Sequence, residues 1–219
     1  MSDTLTQLIA KIQAQLLDDG TRFTTATCTA ALRAALKDFN LAAPVHAGTL
    51  IDVVADQYEY ELSDSVDAAT AIEIIDILEA DPDGGELDKS LDYDGYSEDE
   101  RLFFRLRQPL DSGQIVARFT QPHTVSGLDS ATESTLAAIW DTVLVDGACY
   151  HACEIRAVGR VETINLNRNV PDPLHKAAER FLAAFQMGLA QARKKRPQVG
   201  KPDERAWNDQ WHSRRWEVK

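Results

Sequence analysis

The longest apolar run of the chain, Ser130 to Val161, restricts the available folds more than any other stretch. Within it Leu136, Ile139, Trp140, Val143, Gly147, Tyr150 and Glu154 recur with a helical period, and Ala137, Leu144, Ala148, Ala152 and Ile155 fill an adjacent face. A helix that is apolar over most of its circumference must be surrounded, so the run predicts the spine of a helical bundle. Ser130 and Glu133 have the spacing of a capping box, which places the start of this helix at Ser130. The run also holds Cys149, His151 and Cys153, the one cluster with the residue types of a reactive or metal-binding site.

Helical geometry argues against such a site. Two Cys at i and i+4 share a face, whereas His151 at i+2 points far from both. Zinc needs thiolates and imidazole converging tetrahedrally, and the next candidates, Cys28 and His175, lie on other predicted helices. A Cys nucleophile with His123, His151 or His175 as its base would need a partly exposed, electropositive thiol, but these Cys sit in the most apolar run. The chain has no G-x-S-x-G, Gly-rich phosphate loop or H-E-x-x-H motif. The reading is therefore no catalytic residue, no metal ligand and no cofactor, with the Cys run serving as core packing.

Three further helices are expected. Residues 2–18 carry Leu5, Leu8, Ile9, Ile12, Leu16 and Leu17 on one stripe, with Gly20 as the stop. A second helix starts near Thr24 or Thr25, buries Cys28, Ala31, Leu32, Ala35, Leu36 and Phe39, and ends at Asn40 before Pro44. A last one has Asp172 as its N-cap and Pro173 in the first turn, with a buried stripe from Leu174 through Ala178 and Phe185 to Ala192. Between the second helix and the spine the period falls to two. Thr49–Ala55 and Tyr58–Leu62 read as a hairpin turning at Asp56 and Gln57, Ile72–Leu78 as a strand, and Leu102–Arg107 with Ile115–Gln121 as a second hairpin. In that hairpin Phe104 and Leu106 would meet Ile115, Ala117 and Phe119.

Charge is distributed unevenly. The net charge is −12, which argues against a surface that grips nucleic acid. Residues 79–100 hold ten Asp or Glu and one Lys, the composition of a long exposed loop. Asp92-Tyr-Asp94-Gly95 hints at a calcium loop, but Ser90 and Arg101 stand where that pattern requires Asp and Glu. From Arg193 to Lys219 nine Lys or Arg face four Asp or Glu, a net of +5, and three of the four Trp lie there. Arg193, Lys194, Lys195, Arg196, Arg205, Trp207, Trp211, Arg214, Arg215 and Trp216 have the Trp-and-Arg composition of a binding hot spot. Three Cys suggest a reducing compartment, and the N-terminus lacks a signal-peptide pattern, so a soluble protein made in a cytoplasm is expected.

The expected fold is thus α+β. About four helices form a bundle over residues 1–192, a small antiparallel sheet region is inserted at about 48–125, and residues 193–219 form a basic, Trp-bearing arm. Several segments of this pattern resemble the head-to-tail connector (adaptor) proteins of tailed bacteriophages. Phe23-Thr24-Thr25 leading into Ala31–Leu36, and the hairpin ending Tyr58–Leu62, are similar to segments of that family. So are Arg118–Thr124 and the alanine-rich Gly147–Ala152 ending near Arg160-Val161-Glu162. The resemblance spans residues 2–192, with 79–100 as an insertion. It implies a structural virion protein at the head-tail junction, made in the host cytoplasm. Copies, typically twelve, would form a ring beneath the portal protein and embrace it through the C-terminal arm. A downstream neck or tail protein would follow, and DNA would pass without specific binding; no membrane is involved. Two other classes compete: a non-viral interaction module that binds a partner through the Trp-rich tail, and a cysteine- or metal-dependent enzyme.

Overall fold

A short polar signal starts the first helix. The Thr4 N–H donates to Gln7 Oε1 at 2.8 Å, closing the first turn of α1 (Leu5–Gln15). Leu8, Ile9 and Ile12 are buried, but the helix ends before Leu17, which adopts a φ of 51° and is 94% exposed rather than part of the apolar stripe. The Asp18 carboxylate then accepts the N–H groups of Gly20, Arg22 and Phe23, with the shortest bond 2.7 Å to Phe23. That turn delivers the chain to α2 (Thr25–Ala42), where Thr24 Oγ1 accepts the Thr27 N–H at 3.3 Å. Its predicted face, Cys28, Ala31, Leu32, Ala35, Leu36 and Phe39, is buried. This computed structural model describes residues 2–62, 71–80, 89–99, 101–161 and 173–195.

The spine is shorter than expected. A 3-10 turn at Ala138–Trp140 leads into α3 (Asp141–Val161), and the capping box at Ser130 does not form. Asp129 and Ser130 have φ values of 49° and 67°, which turn the chain out of any helix. Local hydroxyls take over the backbone of this loop: Thr124 N–H donates to Thr135 Oγ1 at 2.8 Å, Ser126 N–H to Ser134 Oγ at 2.9 Å, and Thr124 Oγ1 to the Glu133 carbonyl at 2.9 Å. Ser and Thr compete with helical hydrogen bonding in this way, and the SATEST segment is rich in them. Asp141 replaces Ser130 at the start of the spine. Beyond it α4 (Pro173–Lys195) buries Ala178, Phe185 and Ala192; its expected cap, Asp172, lies outside the described residues. α3 packs on α1, α2 and α4, and together they enclose one core.

The inserted strands form two antiparallel sheets and no predicted hairpin. β1 (Val45–Asp52), β7 (Gln114–Gln121), β3 (Glu73–Ala80) and β4 (Lys89–Ser90) make one sheet in that order; β2 (Glu59–Glu61), β6 (Arg101–Leu106) and β5 (Tyr93–Glu98) make the other. The Tyr58–Leu62 segment therefore leaves its expected partner and pairs with β6, after a turn in which Asp56 has a φ of 62°. Likewise the QPLDSGQ connection passes from one sheet to the other. Phe104 and Leu106 still share a core with Ile115, Ala117 and Phe119, but face to face across the sheets rather than side by side within one.

The acidic stretch is also not simply a loop, because Tyr93–Glu98 is an exposed edge strand. β6 explains why it orders. Arg105 lies opposite Asp94 on one side and Glu59 on the other, and Arg101 lies opposite Glu98 and beside Glu61, its guanidinium 3.1 Å from that carboxylate. Between the two Arg, Phe103 stacks on Tyr96 at 5.3 Å, and the Tyr96 hydroxyl bonds Glu59. A central strand of alternating Arg and apolar residues thus neutralises acidic strands on both sides. Residues 81–88 and 100 of the stretch lie outside the described residues. Among the described residues the architecture is α+β, four α-helices with two small antiparallel sheets inserted between the second and third.

Candidate partner-binding surfaces

The two Cys of the run, Cys149 and Cys153, are buried in the helical core. Cys149 is buried, with its thiol 3.9 Å from the Ile12 carbonyl on α1, and burial pushes that thiol well above its ordinary value. Cys153 is buried too, and Cys28 sits 3.6 Å from the Phe23 carbonyl, its thiol also raised by burial. His151 leaves the helix in another direction and meets Asp38 of α2 at 3.0 Å. The three side chains do not converge, and no cluster of metal-ligating side chains occurs among the described residues. Asp94, the centre of the calcium-like motif, instead faces Arg107 at 3.2 Å.

Two charged regions stand apart. Residues 45–121, which span both sheets, carry nineteen Asp or Glu against five Lys or Arg, a net of −14, whereas the rest of the chain nets +2. The net negative charge of the protein therefore arises in the sheet region. Of the predicted arm residues, Arg193 and Lys194 are exposed on the last turn of α4 and Lys195 closes that helix. Arg196, Arg205, Trp207, Trp211, Arg214, Arg215 and Trp216 lie outside the described residues. The remaining Trp, Trp140, packs with Phe39 in the helical core, the ring centroids 5.9 Å apart.

The joint between helices and sheets was not foreseen from sequence as a feature of its own. His123, just beyond β7, donates its N–H to Asn40 Oδ1 at 2.8 Å and, through Nε2, bonds the Ala43 carbonyl at 2.9 Å. A carbonyl only accepts, so Nε2 carries the proton, and Nδ1 faces Thr135 Oγ1 at 3.4 Å. The ring also meets Phe39 edge-on at 5.5 Å, and burial lowers the imidazole pKa from its ordinary value. Beside this joint lies an open groove of about 620 Å³ between α2 and the ends of β3 and β7. Leu36, Leu41, Pro44, Ile72 and Pro122 give it apolar walls, and Leu41 and Ile72 are 74% and 51% exposed. Its charges balance: Arg33 pairs with Asp129 at 2.6 Å, and Lys37 and Glu73 complete the lining. The sequence signals for this groove were an apolar Leu41 just beyond the predicted helix end at Asn40 and an apolar Ile72 at the first position of the predicted strand.

No described helix is long and apolar enough to cross a membrane. No curated protein matches the chain. Among solved structures it is similar to a chain from "Neck of empty GTA particle computed with C6 symmetry", at 12% identity and a TM-score of 0.27, covering 79% of this chain and 87% of that one. The family model described as SU10 adaptor protein matches residues 3–214, which includes the helices, both sheets and most of the basic arm. That match agrees with the resemblance carried by Phe23–Leu36, Tyr58–Leu62, Arg118–Thr124 and Gly147–Ala152, and on it the chain belongs to the SU10 adaptor protein family.

Proposed function

We propose that this adaptor forms a ring beneath the portal, docks on the portal through residues 193–219 and lines the path of the DNA. The observation that carries the reading is the segregation of charge, −14 in residues 45–121 against +5 in the arm. A wall that meets DNA in transit works best when it repels phosphate, because Lys and Arg contacts to phosphate, with the counterion release that drives them, would hold the genome in place. The acidic sheets suit that wall. An arm of Arg and Trp suits the opposite task, a desolvated anchor on another protein. Many copies, typically twelve in the resembling connectors, would act together, so that a modest contact per copy becomes firm through multivalency. On the other side of the ring a downstream neck or tail protein would complete the junction.

The reading is tested by adding purified chain to portal-bearing heads and imaging the vertex. Full-length chain is expected to add a ring of density below the portal, and a chain ending at Ala192 to stay folded and free. Ring density from the shortened chain would sink the anchor role of the arm.

A further inference from the structure

We infer that successive copies of this chain join head to tail, the outer face of α4 in one copy docking on the outer face of the β2-β6-β5 sheet in the next. The inference rests on the reading of the chain as a ring-forming adaptor and adds which two surfaces make the ring. α4 packs on α3 and α2, burying Ala178, Phe185 and Gly188, and this leaves its opposite side in solvent. There Lys176, Arg180, Ala183, Met187, Ala190 and Lys194 recur at steps of three or four, and all six are exposed, Met187 to 67%. The stripe has an apolar centre between cationic ends and contains no carboxylate.

The second sheet presents the counterpart. Residues opposite one another across an antiparallel pair share a face, and the register sets Tyr96 beside Phe103 at the middle of the outer one, where the two rings stack at 5.3 Å and Tyr96 is 38% exposed. Asp94, Glu98, Glu59 and Glu61 surround that pair and outnumber Arg101 and Arg105 of the strand between them, a net of −2. Asp92 and Arg107 at the border add one charge of each sign. The stacked rings offer a seat for the Met187 thioether, which makes favourable contacts with aromatic edges. Around it a stripe netting +3 meets a face netting −2.

Charge also decides the orientation. Pairing α4 with α4 would set cations against cations, and pairing sheet with sheet would set carboxylates against carboxylates, so unlike surfaces meet. A contact between unlike surfaces is heterologous, and its repetition closes a ring when the rotation allows. The contact leaves the DNA-facing role intact: the +4 of Pro173–Lys195 set against the −14 of residues 45–121 still leaves −10.

Thiol cross-linking tests the contact. Ala183→Cys and Glu98→Cys chains each carry one exposed thiol, while the three native Cys stay buried. The two chains are mixed and treated with a short bismaleimide, both free at high concentration and on portal-bearing heads. A 183-to-98 product is expected in the mixture, identified by peptide mass spectrometry. Adding Arg180→Glu and Lys194→Glu to the Ala183→Cys chain should lower its yield about tenfold, with far-ultraviolet circular dichroism unchanged. No product in either setting would overturn the contact. So would a yield that survives charge reversal, or products that form as readily in one chain alone, which would assign a symmetric pairing. Rings on heads without the 183-to-98 product count against this contact and leave the ring reading standing. Product in the free chain with no ring on heads supports the contact and counts against the ring reading alone.

Discussion

Gly147 of α3 lies flat against the ring of Phe185 of α4, so close that a Cβ at Gly147 would stand 2.7 Å from Phe185 Cε2. The relationship is reciprocal one turn away, where a Cβ on Gly188 of α4 would stand 2.5 Å from Val143 Cγ1 of α3. Two glycines on facing helices thus each admit a large side chain from the other. Gly147→Ala and Gly188→Ala are each expected to destabilise the protein by about 1–2 kcal/mol, overpacking outweighing the gain in helix propensity. Urea unfolding measures this. Phe185→Leu, which costs stability alone, should cost less when combined with Gly147→Ala, and a strictly additive double variant would contradict the fit.

His123 predicts an acid sensitivity. Burial lowers its pKa in the folded protein, so the unfolded chain takes up a proton first as the pH falls. Between the ordinary value of 6.5 and the lower folded value, stability must therefore decrease with acidification, and above 6.5 this group contributes no slope. Thermal unfolding from pH 8 to pH 5 should show a fall beginning near pH 6.5 that is reduced in His123→Gln.

The alternation of Arg and acid across β2, β6 and β5 can be inverted at one point. Arg105→Glu would place a carboxylate between Glu59 and Asp94, changing two favourable cross-strand pairs into two repulsive ones. A loss of about 1 kcal/mol is expected in low salt, and because the face is exposed, much of it should return at 0.5 M salt, where the screening length is only about 4 Å. Unfolding curves at the two ionic strengths decide this.

Asp141 is buried at the start of α3, and its two carboxylate oxygens accept from Ser2 Oγ at 2.8 Å and the Asp3 N–H at 3.0 Å. Asp141→Ala removes the acceptor of a backbone donor and should cost about 1–3 kcal/mol. Amide exchange at Asp3 and Leu5 is expected to accelerate more than exchange in α4, which would show that the N-terminal segment loosens first.

All three Cys are buried, and burial raises Cys28 and Cys149. Ellman's reagent at pH 8 should therefore leave the native chain unmodified over minutes and titrate all three thiols in 6 M guanidinium. A single fast-reacting native thiol would revive the cysteine-enzyme alternative.

How much was legible is uneven in an instructive way. Leu8, Ile12, Leu32, Phe39, Ala148 and Phe185 could be placed in the helical core by period alone, because a 3.6-residue repeat on one chain segment already states which face is apolar. The spine's start was misplaced because Ser130 and Glu133 match a cap by spacing, while the loop's own hydroxyls and the left-handed Asp129 and Ser130 were invisible until the chain had neighbours. Strand positions were legible and strand partners were not. Alternation tells which side of Phe104 or Ile115 is apolar, but hydrogen-bond partners are chosen among all available edges, and here each expected hairpin gave up one strand to the other sheet.

The sequence by itself determined the α+β class, the helix faces, the packing role of Cys149 and Cys153, and the separation of acidic and basic segments, since each follows from local spacing or composition. Only the tertiary structure decided that Arg101 and Arg105 would order acidic strands on either side of β6, and that His123 would join β7 to α2. It also decided that Gly147 and Gly188 would set the closeness of α3 to α4 and that Leu41 and Ile72 would flank one groove. Those are contacts between segments far apart in the chain, and their energy exists only once both partners have been brought together.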